Sequence, residues 1–238
     1  MRKAWLLAVM VVAGCATPLG GGQAMGSKPT YLDAFTQDVP NAAARSHRIY
    51  TPGLDEGYVP QGLTSAGGYL FVSSYKPAPD LKSNSGPCRV FRIEAATGKP
   101  AGHFDIPAGS CTHSGGLAHM GQGQLLLADT RQIFLVDVDK ALESGTSAGA
   151  SKAVKVAGAL RGSYATFDGK DAWIGTWTKD QPKARMFRLD PRLFDDFDGQ
   201  TVKEDRAPLR HTRHVVYVNH HHHRVMLHAR KVVVIHNS

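Results

Sequence analysis

The sequence predicts an all-β fold, an incomplete β-propeller of about three to four four-stranded blades, from two observations. First, three segments beginning at Pro60, His113 and Gly162 each combine a short apolar strand, a Gly-containing turn and a second strand ending in small or polar residues. Gly62 and Gly116 take the same place in the first two segments, 54 residues apart. Second, glycine is abundant, at 25 of 238 residues, as a fold with many turns requires.

Each pair of strands is followed by another alternating segment, at residues 89–100, 132–145 and 184–194. Residues 101–107 and 152–160 add an outer strand to the first two units. Four short antiparallel strands in about 50 residues are typical of a propeller blade. A β-sandwich is the alternative, but a sandwich does not require the Gly-containing pair of strands to recur at the same position in each unit. Within the third unit, Trp173 and Trp177 are predicted to pack between blades.

Over about residues 57–198 the repeat resembles the broad superfamily of propellers that includes the NHL-repeat, gluconolactonase-like and quinoprotein-like groups. A propeller has at least four blades, and residues 31–53 supply at most part of one more. We therefore expect a partial propeller at residues 31–209.

The N-terminus has the pattern of a targeting segment. Residues 1–14 combine a basic start with a short apolar stretch. The following "VAGC" resembles the bacterial lipobox, which implies lipidation of Cys15 and a membrane anchor; an ordinary cleaved signal with a chance Cys is the alternative. Ala16 is not the Asp that often retains lipoproteins in the inner membrane, so this resemblance favours the periplasmic face of the outer membrane. Residues 15–30 are Gly-rich and are predicted to form a flexible tether.

Cysteine usage fits export. The chain has three Cys, and if Cys15 carries lipid, Cys88 and Cys111 remain. An oxidising compartment permits a disulfide between them, whereas two independent buried thiols are the alternative.

The net charge of +8 does not indicate nucleic acid. Six of the 28 basic residues and none of the 20 acidic residues follow Asp205, so the rest of the chain is nearly neutral. A nucleic-acid footprint lies on a folded face with polar or aromatic contacts, and here the charge lies in a terminal segment.

That segment, residues 210–238, is an irregular, basic tail that holds eight of the 12 His. Three hypotheses compete for it. His220, His221, His222 and His223 could bind a metal, although neighbours on a strand alternate between faces. The tail could instead be a solvated or aggregating segment. It could also be an out-of-frame translation, which would explain both the missing blades and the change in composition.

Ligands of propellers usually lie at the axial channel, near the ends of the inner strands. The candidates there precede or follow those strands: Gln61, His113, Ser114, Ser163, Tyr164, Asp129 and Arg131. Gln61, His113 and Asp129 could hold a cation or orient a polar ligand. Alternatively, His113 bonds to a neighbouring blade's backbone and Asp129 caps a turn. His119 is expected at the turn over residues 120–123, away from the axis.

Two functions of different class follow. The first is a binding or scaffold module of the cell envelope, with a protein or small-molecule ligand and no required cofactor. The second, implied by the gluconolactonase-like resemblance, is a hydrolase with a divalent metal held by carboxylates and an Asn. Gln61 stands where that pattern places an acid, and no G-x-S-x-G motif occurs, so the binding module is favoured over an enzyme.

Overall fold

The computed structural model describes residues 24–32, 47–77, 87–179, 185–189 and 194, and the backbone of residues 223–228 and 231–236. Most of this part of the chain is β-sheet, and it contains one helix. None of the described residues forms a helix with the length and apolar character needed to cross a bilayer.

The chain enters the fold through a short parallel pair of strands, β1 (Ala24–Met25) and β2 (Arg48–Ile49). Blade 1 follows as a four-stranded antiparallel sheet in the order of the sequence. Its strands are β3 (Val59–Ala66), β4 (Tyr69–Tyr75), β5 (Cys88–Glu94) and β6 (Pro100–Ile106).

Blade 2 repeats this arrangement with β7 (Gly116–Gly121), β8 (Gln124–Ala128), β9 (Gln132–Asp137) and β10 (Ser151–Lys155). The turn between β7 and β8 is shorter than predicted, because β7 runs on to Gly121. His119 consequently lies within β7, and the prediction that it lies at the turn is wrong.

A helix, α1 (Val138–Ser144), joins β9 to β10, where the sequence predicted only a strand and a turn. The Asp137 carboxylate accepts a hydrogen bond from the Lys140 backbone N–H, and Gly145 ends the helix in the left-handed conformation with φ 71°. Both are ordinary helix-capping features. The helix between these caps has seven residues, which is too few for a helical pattern of apolar residues to be recognised in the sequence.

Blade 3 has three strands: β11 (Tyr164–Phe167), β12 (Ala172–Gly175) and β13 (Met186–Leu189). An antiparallel hairpin of β14 (His223–His228) and β15 (Lys231–His236) follows. The described residues therefore form two four-stranded blades and one three-stranded blade, consistent with the predicted incomplete propeller. The tail was predicted to be irregular, and its described part is instead a hairpin, which its alternating apolar residues allow.

Blade 2 is buried on both faces, which is the defining requirement of a propeller blade. Residues Leu125–Ala128 of β8 are all 0% exposed. Because strand side chains alternate, Leu125 and Leu127 pack toward blade 1, whereas Leu126 and Ala128 pack toward blade 3. The first core includes Phe71, Val90, Phe104 and Phe134, and the second includes Val154, Ala165, Ile174 and Phe187.

The glycines of the repeat allow the inner strands to approach each other. β3 lies against β7, and β7 lies against β11. A Cβ at Gly62 would come within 2.7 Å of the Leu117 backbone N, and one at Gly116 would overlap the backbone of Ala165. The spacing of Gly62 and Gly116 thus marks the contact between neighbouring blades.

The open face of blade 1 is covered by the segment before β3. Gly53, at φ 81°, leaves room for the Phe91 ring, and Tyr58 meets that ring edge-on at 5.5 Å between centroids. The Arg89 guanidinium lies 4.9 Å from the Tyr58 ring centre and donates to Asp105 at 2.6 Å. These contacts join the entering chain to the first blade.

The tether predicted for residues 15–30 is too long at its C-terminal end. Met25 and Gly26 pack against the turn at Gly98, where a Cβ would come within 2.6 Å of the Met25 Cβ. Tyr50 also donates its backbone N–H to the Met25 carbonyl. Here glycine provides a close approach of two backbones rather than flexibility.

Asp168 gives the fold a local dependence on pH. Hydrogen bonds from the backbone N–H of Asp171, the Trp173 indole and the Lys170 N–H hold the pKa of this carboxyl below its usual 3.8. A lowered folded-state pKa contributes stability above the unfolded-state value, and this contribution is lost as the pH falls through the folded-state value. We expect Trp173 emission to change as the pH falls below about 4, measured after Trp5→Phe and Trp177→Phe. Asp168→Asn should remove the transition, and a transition that survives this change would contradict the assignment.

Candidate functional site

The candidate site lies where the inner strands of blades 1 and 2 meet. Gln61 is the extra residue of a β-bulge in β3, between Pro60, which pairs with Ser74, and Gly62, which pairs with Ser73. Its side chain is buried, and its Oε1 has no hydrogen-bond partner among the described residues. Bulges redirect side chains and are common beside functional sites.

Ser73 joins the two blades through its hydroxyl. The oxygen accepts a hydrogen bond from the Gly62 N–H at 3.0 Å, and the hydroxyl donates to the Ser114 carbonyl at 2.9 Å. Both contacts are buried. The end of β4 therefore positions the loop before β7.

Asp129, at the end of β8, holds that loop from the other side. One carboxylate oxygen accepts the backbone N–H groups of His113 and Ser114 at 2.7 and 2.9 Å. The Thr112 hydroxyl donates to the other oxygen at 3.1 Å. The carboxylate thus has the turn-capping role considered for it in the sequence, and these contacts occupy its oxygens.

The loop brings an aromatic pair and a strained residue to the same place. The His113 ring lies over Tyr75 with 4.5 Å between centroids and an interplanar angle of 31°. Ser114 is fully buried with φ 44°, which is uncommon for a residue other than glycine. Such strain persists only where surrounding contacts enforce it, and it is often found at functional sites.

Two further buried oxygens lie on the segments just described, the Oγ atoms of Ser74 in β4 and of Ser114 in the loop. With Gln61 Oε1 they make three polar atoms that have no partner among the described residues. Buried polar groups are normally hydrogen-bonded, either within the protein or to small polar molecules. The three oxygens therefore mark these segments as the candidate binding site.

The predicted disulfide is confirmed. Cys88, at the start of β5, is bonded to Cys111, with 5.9 Å between their Cα atoms. Both residues are buried in the core between blades 1 and 2. The bond fixes the beginning of the loop that Asp129 and Ser73 hold further along.

Among the described residues, the one close group of possible metal ligands (His, Cys, Asp or Glu) is already engaged. Cys88, Cys111 and Asp129 form the only close group of three such side chains in the described ranges. The two sulfur atoms are bonded to each other, and the Asp129 oxygens accept hydrogen bonds from the loop. No open set of ligands is left there.

Ser163, Tyr164 and Arg131 do not all join this region. Ser163 lies beside the loop, because a Cβ on Gly115 would come within 2.6 Å of its carbonyl oxygen. The Tyr164 ring packs instead on Gly175 within blade 3, where burial raises the pKa of its hydroxyl. Arg131 is exposed and donates to the Gly158 carbonyl at 3.2 Å, in the link between β10 and β11.

Other predicted residues lie outside the description. Cys15, His220, His221 and His222 are not among the described residues, and His223 is described only by its backbone at the start of β14. Conversely, Ser73, Ser74 and Thr112 were not predicted as site residues. The signal in the sequence that could have indicated them is that the second strand of each unit ends in small or polar residues.

Comparison with known proteins identifies no family. No family model matches the chain, and no curated protein matches it. Among solved structures, the chain is similar to hydrazine synthase of Kuenenia stuttgartiensis at 18% identity and TM-score 0.38, covering 57% of this chain and 33% of that chain. It is also similar to a europium-containing methanol dehydrogenase at 14% identity and TM-score 0.36, covering 56% and 23%.

A third similarity is to a dipeptidyl aminopeptidase IV-like protein of Bacteroides ovatus, at 10% identity and TM-score 0.35, covering 56% of this chain and 21% of that chain. The chain thus spans at most about a third of the length of these structures. The fold assignment rests on the sheets of the chain itself.

Proposed function

We propose that this protein is an exported envelope lipoprotein whose propeller blades act as a binding module for a protein or small polar ligand. The observation that carries the proposal is that the buried Gln61 Oε1, on the inner strand of blade 1, and the buried Ser114 Oγ, in the loop before blade 2, have no hydrogen-bond partner among the described residues. Ligands of this architecture meet the ends of inner strands, and the strained loop at residues 112–114 lies there.

A binding role is favoured over a metal-dependent lactonase. A lactonase of the type considered needs carboxylates that converge on an ion. Of Gln61, His113 and Asp129, the cation ligands predicted from the sequence, only Asp129 is a carboxylate, and three loop residues engage it. A hydroxyl or amide group of a ligand suits the neutral oxygens better.

Export is supported by the disulfide. Cys88–Cys111 is buried and connects a strand of blade 1 to the loop before blade 2. Disulfides of this structural kind persist in oxidising compartments and are rare in the cytosol. Together with the lipobox-like "VAGC", this favours a lipid anchor at Cys15 and, from Ala16, the periplasmic face of the outer membrane.

The binding role is tested by photo-crosslinking in the cell envelope, with the crosslinking residue placed at position 112 and, as a control, at position 122. Thr112 borders the candidate site, whereas Gln122 lies in the exposed turn at the other end of β7 and β8. We expect a discrete adduct from position 112 only, and Gln61→Leu should weaken it. Equal labelling at both positions, or labelling unaffected by Gln61→Leu, would contradict the proposal.

The anchor is tested with Cys15→Ala. Since the Cys thiol is where the lipid would be attached, the variant should lose incorporation of labelled palmitate and move from the membrane fraction to the soluble fraction. Thr17→Ala, two residues further on, is the matched control and should fractionate like the wild type. Unchanged fractionation of Cys15→Ala would exclude lipidation at this residue.

A further inference from the structure

An open cavity lies at the ends of the two outer strands of blade 2. Its volume is about 340 Å³. It is lined by Arg131 and Gln132 at the beginning of β9, Lys155 at the end of β10, and residues 156–158 of the link that follows. The lining thus brings two cations and a neutral amide together, and it contains no carboxylate.

The positive charge of this cavity is not compensated as it is in blade 1. There, Arg89 of β5 lies opposite Asp105 of β6, and the two side chains form an ion pair at 2.6 Å. The same place in blade 2, counted through the strand registers from the glycines of the repeat, holds Gln132 of β9 and Lys155 of β10. Neighbours across strands interact directly, and this pair has a cation without an acid.

Both cations have donors to offer a ligand. One guanidinium nitrogen of Arg131 donates to the Gly158 carbonyl at 3.2 Å, which leaves most of its N–H groups open. That bond holds the guanidinium against the link without neutralising its charge. The Lys155 ammonium forms no ion pair with a carboxylate of the described ranges. Gln132 adds an amide that can also donate to an anion.

The charges of blades 2 and 3 are divided between the two ends of their strands. The end that holds the cavity carries these cations: Arg131, Lys155, Arg161 and Arg185. Its one described acid, Asp129, is engaged by the loop at residues 112–114. The opposite end carries these acids: Asp137, Asp139, Glu143, Asp168 and Asp171. Trp177, predicted to pack between blades, is 59% exposed just beyond β12, at the cavity end. A field of one sign raises the local concentration of ligands of the opposite sign, so this end favours an anion.

We infer that this cavity binds an oxyanion, the phosphate or carboxylate group of a small ligand. The planar guanidinium of Arg131 can donate to two oxygens of such a group, and Lys155 adds a second positive charge from the neighbouring strand. The inference goes beyond the proposed binding function and does not depend on it. The oxygens of Gln61 and Ser114 belong to β3 and to the loop before β7, whereas the cavity belongs to the outer strands of blade 2.

The test is a titration of the full chain with inorganic phosphate and, separately, with acetate, followed through the NMR signals of labelled backbone amides. At low ionic strength, where exposed charges are least screened, we expect saturable shifts at residues 155–158. Lys155→Gln, a change of an exposed side chain, should weaken binding by about fivefold or more, and so should Arg131→Gln. Lys152→Gln is the matched control, because it removes the same charge from β10 outside the cavity. It should leave the dissociation constant unchanged.

Saturation with either anion supports the inference, and the tighter of the two identifies the group. Shifts of equal size with chloride at the same ionic strength would overturn it, since they would report screening alone. An equal effect of Lys152→Gln would also overturn it, because net charge rather than the cavity would then determine binding. So would the absence of saturation with both phosphate and acetate. These outcomes are separate from the crosslink at position 112, which tests the site between the inner strands.

Discussion

Gly116→Ala is expected to lower the free energy of unfolding by about 3 kcal/mol or more, because its methyl group would overlap the backbone of β11. The atoms that a Cβ at this position would meet are the Ala165 N and the Tyr164 C and Cα. Backbone atoms in a paired strand cannot move aside as a flexible side chain can. Blades 2 and 3 would have to separate, exposing the core around Leu126 and Ile174. Denaturant unfolding followed by circular dichroism measures the loss.

Gly123→Ala separates this steric effect from the cost of losing a glycine. Gly123 has φ 71°, and no heavy atom lies within 4 Å of a Cβ built there. The substitution should therefore cost only about 1 kcal/mol, from the left-handed conformation. If Gly116→Ala costs no more than Gly123→Ala, the inner strands of neighbouring blades do not approach as described.

Removing the disulfide should have the second largest effect. The double variant Cys88→Ala, Cys111→Ala opens a loop with a sequence separation of 23 residues. The entropy of such a loop in the unfolded chain corresponds to about 3 kcal/mol. Guanidinium unfolding measures this loss. Amide exchange at residues 112–115 should also quicken, because Cys111 begins the loop that Asp129 holds.

The control for this variant is Cys15→Ala, which removes a cysteine without touching the described fold. Its unfolding midpoint should equal that of the wild type. A double variant as stable as the wild type would contradict a structural role for the bond. Alkylation of Cys88 in the folded, unreduced protein would do the same, since that sulfur is buried and bonded.

The repeat was predictable because the close approach of inner strands requires glycine at fixed positions in the sequence. Only glycine fits where Gly62 and Gly116 meet the next inner strand, so the spacing of blades is visible in the chain. Strand positions follow from alternation, and a bond between Cys88 and Cys111 was one of two expectations for the cysteines that remain if Cys15 carries lipid. These features depend on local chemistry or on simple counting.

The site was less predictable because it depends on which side of a strand a residue faces. Ser163 and Tyr164 are neighbours in sequence, yet one lies beside the loop and the other packs on Gly175. For Asp129 the sequence left open a cation ligand or a turn cap, because its hydrogen bonds to His113 and Ser114, which decide between them, depend on how the blade folds. Contacts of this kind are set by the packing of elements and not by the identity of the residue.

The shared strand of blade 2 has a consequence for folding. Alternate residues Leu125–Ala128 of β8 belong to two cores, so loss of either core releases the strand on which the other depends. The two interfaces should therefore melt as one cooperative transition, although the sequence is built from repeated modules. Blades 1 and 3 each share only one such interface with another described blade, so unfolding should begin in these two blades. The amides of β8 should exchange last.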